Sequence, residues 1–181
     1  LWIDMEGSAY TEVTIEIFRK VQARVPRVGL ALQAYLRRTP QDLAALLPLD
    51  PAIRIVKGAY AEPAAIAYPT KREVDAQYLG LARTLLEARA AGRPVRLVCG
   101  THDVALIERI QGAAGALGVA REGWEVHMLY GIRTAELRRL AAAGHRTMVL
   151  ISYGSAWFAW YMRRLAERPA NVLFVLKSLF R

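Results

Sequence analysis

The sequence predicts an α/β chain built on a parallel sheet, and three observations carry that prediction. Short apolar runs rich in branched residues recur along the chain, segments with helical spacing lie between them, and polar residues or glycines gather where each run ends. Alternation of this kind implies βαβ units. The architecture expected is a (β/α)8 TIM-like barrel of which the last six βα units are present.

Taken in order, the strand-like runs are LWIDM (1–5), VGLALQAYL (28–36), AIRIVKGAY (52–60), PVRLVCGTH (94–102), WEVHMLYG (124–131) and RTMVLISYG (146–154). The first helical segment, TEVTIEIFRKVQARV (11–25), is expected to bury a stripe of Val13, Ile17 and Val21. The next, DAQYLGLARTLLEARAAG (75–92), closes on Gly92, a residue suited to the left-handed turn after a helix. DVALIERIQGAAGALG (103–118) and TAELRRLAAAGH (134–145) repeat the scheme, with Gly144 ending the last of them.

The polar tips decide between two parallel architectures. They are Asp4 and Glu6, Gln33, Lys57 and Gly58, Thr101 and His102, Tyr130 and Gly131, Tyr153 and Gly154. A doubly wound sheet uses its strand ends at one switch point, whereas a barrel builds its site from all of them. Every run here has a polar tip, which favours the barrel. Six units fall two short of eight, and a barrel usually takes ~250 residues, so a preceding portion of about 70 residues is expected.

Composition narrows the function classes. The 181 residues suffice for one domain with a substantial core, and 54% are hydrophobic, which excludes a disordered chain. No uncharged apolar run reaches the ~18–20 residues of a bilayer span. LWIDMEG carries acids where a secretory leader carries bases, so no leader is expected. The single Cys99 excludes an internal disulfide and suits a reducing cytoplasm. The net charge of +9 favours anionic partners without selecting one. Nucleic acid is not expected, because the aromatics lie within apolar runs. C-x-x-H at Cys99 and His102 lacks a second ligand pair, so no metal site is expected. Gly112, Gly115 and Gly118 follow a helix rather than a strand and make no dinucleotide fingerprint, and no Ser/His/Asp elbow is present.

The stretch YGSAWFAWYMRRLAERPANVLF places Arg163 and Arg164 side by side on a helical segment, about 100° apart. Glu167 lies four and three residues on and can hold both. Solvated surface charge is the plain alternative.

At this point the motifs acquire a resemblance. IDMEGSAYTEVT, LALQAYLRRT, RIVKGAYAEP followed by AYPTKREVDAQY, GTHD, HMLYGIR and YGSAWFAWYMRRLAERPANVLFVLKSL run in order from residue 1 to about residue 180. Together they resemble the flavin-dependent proline dehydrogenases in their short, monofunctional bacterial form. The resemblance implies a distorted barrel with FAD at its C-terminal mouth. It makes residues 1–181 the C-terminal portion, strands three to eight and the final helix. The activity implied is oxidation of L-proline to Δ1-pyrroline-5-carboxylate by hydride transfer to FAD, with electrons passed to a quinone. A cytoplasmic protein with peripheral contact at the inner membrane follows from the same likeness.

Site residues carry over one by one. Arg163 and Arg164 match the pair that grips the proline carboxylate, supported by Glu167. Arg54 matches an arginine near flavin N5, and Asp4 a carboxylate on the site floor; these two are the catalytic candidates. Ile3, Gln33, Arg54, Lys57, Gly58, Ala59, Thr101 and His102 match cofactor contacts, Gln33 being the amide toward the flavin pyrimidine ring. Leu129 matches the apolar wall under the substrate ring. Leu150 and Trp160 stand where the family has tyrosines bordering the substrate, and His127 replaces a glutamine. Duller readings stay open: Asp4 as a helix cap or solvated carboxylate, Gln33 as a loop amide, Lys57 as surface charge, His102 as the cap of the helix starting at Asp103, Leu129 as core packing. The departures leave two further readings, a catalytically weakened flavin-binding barrel or altered specificity for another cyclic amino acid.

Overall fold

The structure, a computed structural model, describes residues 1–151 and Gly154. The strands are β1 (Trp2–Ile3), β2 (Gly29–Gln33), β3 (Ala52–Val56), β4 (Arg96–Gly100), β5 (Trp124–Leu129) and β6 (Arg146–Leu150). Helices α1 (Thr11–Gln22), α2 (Thr39–Leu46), α3 (Lys71–Ala90), α4 (Val104–Ala116) and α5 (Thr134–Ala142) lie between them. All the pairings among these six strands are parallel, and each strand pairs with the next in sequence. A doubly wound sheet would reverse its order at a switch point. This sheet never does, so the fold is that of a TIM-like barrel, described over six successive strands and the five helices between them.

Strand alternation then sorts the side chains. Leu30, Leu32, Ile53, Ile55, Leu97, Cys99, Trp124, Val126 and Met128 are buried in one cluster with the helices. Their neighbours Ala31, Gln33, Arg54, Val98, Glu125 and His127 face the other way, into the barrel side, and are buried as well. A face that is both buried and charged is the unusual feature of this sheet.

Several elements differ from their expected form. β1 is two residues long rather than five, β2 ends on its polar tip Gln33, and β3 to β6 stop before theirs. Those tips bend out of the regular ladder, although Tyr35 N–H still reaches the Lys57 carbonyl at 3.0 Å. In α1 the buried row is Thr11, Ile15 and Phe18, while Val13 and Ile17 are 46% and 47% exposed. Two apolar stripes compete on this helix, and the one carrying the fully buried Phe18 turns inward because it removes more surface from water. α3 begins at Lys71, four residues earlier than expected. Thr70 accepts from the Glu73 backbone N–H, and the Glu73 carboxylate accepts from the Thr70 backbone in return, a reciprocal cap that fixes the start. α2 was not anticipated; Pro40 in its first turn and its eight-residue length make it a short, weakly periodic signal. Gly92 and Gly144 do end helices, at φ 83° and 89°.

Candidate functional site

Two charged clusters sit on these strands. The first is inside. The Trp2 indole leaves β1 toward the barrel side and occupies the space where a Cβ on Gly29 would be, at 2.5 Å from its ring. Arg54 and Arg96 lie against this indole, their guanidinium carbons 5.0 and 5.3 Å from the ring centre, and His127 meets it edge-on at 5.9 Å. Each arginine has its own carboxylate. Arg54 pairs with the exposed Asp4, and Arg96 makes a two-pronged contact with Glu125 at 2.7 and 2.8 Å. Burial pushes the Glu125 carboxyl up, but the Arg96 fork and His127 outweigh it and hold it below the ordinary range.

The second cluster is at the strand ends. Lys57, just past β3, reaches Asp75 at 2.5 Å and Asp103 at 2.7 Å. Lys71, the first residue of α3, contacts the same two carboxylates, Asp103 at 2.8 Å. Asp103 also caps α4, accepting the Leu106 N–H at 3.3 Å. Burial raises the Asp103 carboxyl, yet the two ammonium groups win and hold it far below its usual value. In the adjoining turn Gly58 adopts φ 108° with the Tyr35 ring 2.2 Å from where a Cβ would stand, so only glycine fits.

The expected site residues can now be placed. Arg54 and Asp4 are together. Gln33 is 2% exposed; its amide N–H donates to the Met5 carbonyl at 3.4 Å, and its Oε1 has no partner among the described residues. That removes the loop-amide reading. Lys57 is no surface charge, being held between two carboxylates. Gly58 and the half-buried Ala59 form the turn beside it. Thr101 is buried, and its hydroxyl accepts the Asp103 N–H at 3.1 Å. His102 does not cap α4, because Asp103 does; instead His102 Nε2 accepts the Leu129 N–H at 2.9 Å. Burial, with Arg133 nearby, lowers His102 to about 4. Leu129 and Leu150 are register partners on the barrel side, and neither belongs to the core cluster, so plain core packing does not describe Leu129. Ile3 is the one displaced expectation: alternation along β1 sends it to the helix-facing core, and Trp2 takes the inward position. Trp160, Arg163, Arg164 and Glu167 lie outside the described residues.

Sequence reasoning missed Trp2, Arg96, Glu125, Lys71 and Asp75 as site members. The signal was available for one of them: Glu125 alternates with His127 within WEVHML, a strand otherwise apolar enough to be buried.

A sequentially ordered parallel sheet with charged residues on its inner face and at its carboxyl ends defines an α/β-barrel protein of the kind that carries its chemistry at the mouth. Residues 1–177 match the family model described as proline dehydrogenase, and the chain belongs to that family. It is 39% identical to proline dehydrogenase of Deinococcus radiodurans over 181 residues, covering 99% of this chain and 57% of that protein. It is 37% identical to proline dehydrogenase 1 of Bacillus subtilis strain 168 over 179 residues, covering 99% and 58%. The chain thus spans less than three fifths of the length of these relatives. Among solved structures it superposes on proline utilization A from Bdellovibrio bacteriovorus inactivated by N-propargylglycine with TM-score 0.82 at 26% identity, covering 91% of this chain and 19% of that one. The corresponding values for proline utilization A from Corynebacterium freiburgense are 0.76, 25%, 92% and 20%.

Proposed function

We propose that this chain is the C-terminal portion, strands three to eight and the final helix, of a barrel that oxidises L-proline to Δ1-pyrroline-5-carboxylate with FAD as cofactor and a quinone as final acceptor. The observation that carries the reading is the inner face itself. A buried Gln33 oxygen with no partner among the described residues and a buried Arg54 stand on adjacent strands in a chain of this family. An orphaned acceptor of this kind suits a ring N–H donor, and the flavin pyrimidine ring offers one. The residues present therefore fit FAD, which when bound supplies the two-electron acceptor.

In this reading the chain's own groups do the positioning. Arg163 and Arg164 grip the substrate carboxylate with two planar forks, and Glu167 holds them. Leu129, with Leu150 beside it, walls the ring and excludes water. Arg54 places a fixed positive charge where negative charge accumulates, and Asp4 steers its side chain. Gln33 orients the cofactor, with Thr101 and His102 as surrounding support, and Trp2 stands in the inward place expected of Ile3. Lys57, tied to Asp75 and Asp103, holds the turn at Gly58 and Ala59 open for backbone approach. Trp160 closes the substrate side together with Leu150. The Leu129–Leu150 pair is apolar where the family has a tyrosine at the second position, which favours, as a second reading, specificity for another cyclic amino acid. A cytoplasmic protein touching the membrane peripherally accords with the described helices, none of which is long and apolar enough to cross a bilayer.

The test uses the full-length protein. Purified, it should show oxidised-flavin absorbance that bleaches with L-proline; absence of the bands overturns the cofactor assignment, and bands that ignore every cyclic amino acid overturn the activity. Arg163→Met or Arg164→Met should leave flavin content unchanged and lower kcat/KM for proline roughly 30-fold, the equivalent of ~2 kcal/mol for one charged fork. The exposed Arg138, changed the same way, should matter little. Equal kinetics for Arg163→Met and Arg138→Met would show the pair to be surface charge.

A further inference from the structure

The inner-face position held by Gln33 belongs to a register row that continues through Val56 and Gly100 to His127 and then Met148. His127 is 8% exposed, so it is part of the same buried floor as Gln33. Its Nε2 lies 3.2 Å from the Glu125 carboxylate, and that carboxylate is itself fixed by the two-pronged contact with Arg96. With the Nε2 proton directed at Glu125, Nδ1 is the nitrogen able to take up another proton. The charged and aromatic groups facing the ring are Glu125 on its own strand, Arg96 on β4, Arg54 on β3 and Trp2 on β1. Burial lowers the His127 pKa, Glu125 opposes it, and the two arginines add to the lowering. The ring is therefore neutral near pH 7 while the floor carries no extra charge. One new negative charge above it would favour the imidazolium directly.

We propose that His127 is the proton store of this floor: when an amine substrate delivers two electrons and one proton to a flavin that Gln33 would hold, His127 Nδ1 takes one further proton from solvent. The step forms one N–H bond at Nδ1 and removes one proton from water. The electrons are those of the substrate, whose second hydrogen leaves its nitrogen as a proton to solvent. Glu125, locked by Arg96, holds the imidazolium, and the added charge above the floor is balanced. The role is that of a positioning and charge-balancing residue, and it rests on the flavin reading above.

Proton uptake is the readout that a merely structural histidine would not move. The flavin-loaded full-length protein is reduced electrochemically in weakly buffered solution at pH 7, and protons taken up per two electrons are counted with a pH electrode. The wild type should take up about one proton more per flavin than His127→Gln, consistent with a buried group changing charge state. Equal uptake overturns the proposal. If His127→Gln fails to fold or hold flavin, nitrogen-15 spectra of histidine-labelled wild type decide instead. The His127 ring should pass from neutral to imidazolium on reduction, and a ring that stays neutral overturns the assignment. A wild-type protein without flavin overturns the flavin reading and this proposal together, whereas a flavin-loaded wild type with no difference overturns this proposal alone.

Discussion

The inner cluster and the rim cluster have the same composition, two cations and two carboxylates, and opposite wiring. Inside, both arginines lie against Trp2 but have separate carboxylates, Arg54 pairing with Asp4 and Arg96 with Glu125. At the rim, Lys57 and Lys71 share Asp75 and Asp103 between them. Loss of one member inside strands its partner; loss of one lysine at the rim leaves both carboxylates paired. The difference teaches that ion-pair connectivity, more than ion-pair number, sets what a substitution costs.

The largest effect should come from Glu125→Gln. It removes the counter-charge from Arg96 and the ionised hydrogen-bond partner of the neutral His127 at once, and breaking a buried pair costs ~3–5 kcal/mol. Arg96 keeps a water-exposed end, its side chain being 43% accessible, so the lower figure of ~3 kcal/mol is expected from denaturant unfolding of the full-length protein. A cost below ~1 kcal/mol would break the comparison, because the inner cluster would then be as tolerant as the rim.

Acidification comes next. His102 titrates near 4 in the folded chain against 6.5 when exposed, because burial disfavours its charged form. The unfolded chain binds the proton first, so stability is complete above pH 6.5 and falls as pH drops toward 4, by ~1.4 kcal/mol per pH unit. Asp103 and Glu125, whose carboxyls are lowered, lose their contributions only at still lower pH. His102→Gln should lessen the slope between pH 6.5 and 4, the buried and likewise lowered His127 and His145 supplying the rest; an unchanged slope there would show that His102 makes no contribution.

The rim is probed by a double-mutant cycle. Lys57→Met or Lys71→Met alone should each cost about 1 kcal/mol or less, since the other lysine still serves both carboxylates. The double substitution should exceed the sum by about 1–2 kcal/mol. Additive costs would mean the sharing has no energetic content. Smallest of the set is Thr70→Ala, which removes half of the reciprocal cap of α3 and should cost ~1 kcal/mol without altering either charged cluster.

What the sequence disclosed follows from the same contrast. The alternation of runs foretold six parallel strands, and the polar tips foretold a barrel order that the register confirms. Period-two and period-3.6 patterns report which side of an element is apolar. They cannot say which of two apolar stripes wins, so Val13 and Ile17 were expected inside and Phe18 took their place. Nor can they reveal partners brought together from distant segments. Lys71 and Asp75 look like ordinary first-turn helix charges until Lys57 and Asp103 are placed against them. Trp2 was hidden for a different reason: in a two-residue strand there is no periodicity to read, and the family resemblance pointed to Ile3 as the cofactor contact. Asp4 and Gln33 were legible as polar groups at strand ends, where side chains of a parallel sheet escape the core, whereas Arg54, in the middle of β3, came only from the family resemblance.

The strictly sequential strand order has a consequence for how the chain comes to be made. Every strand pairing described here joins one βα unit to the next, so a strand's partner is always the segment synthesised just before it. Loop-closure entropy is then paid in small, equal instalments rather than at one late step. A nascent chain emerging at ≈ 5–20 residues per second can add its units in order to the growing edge. At each stage the newest strand is the exposed one, and it waits a few seconds for its neighbour to leave the ribosome.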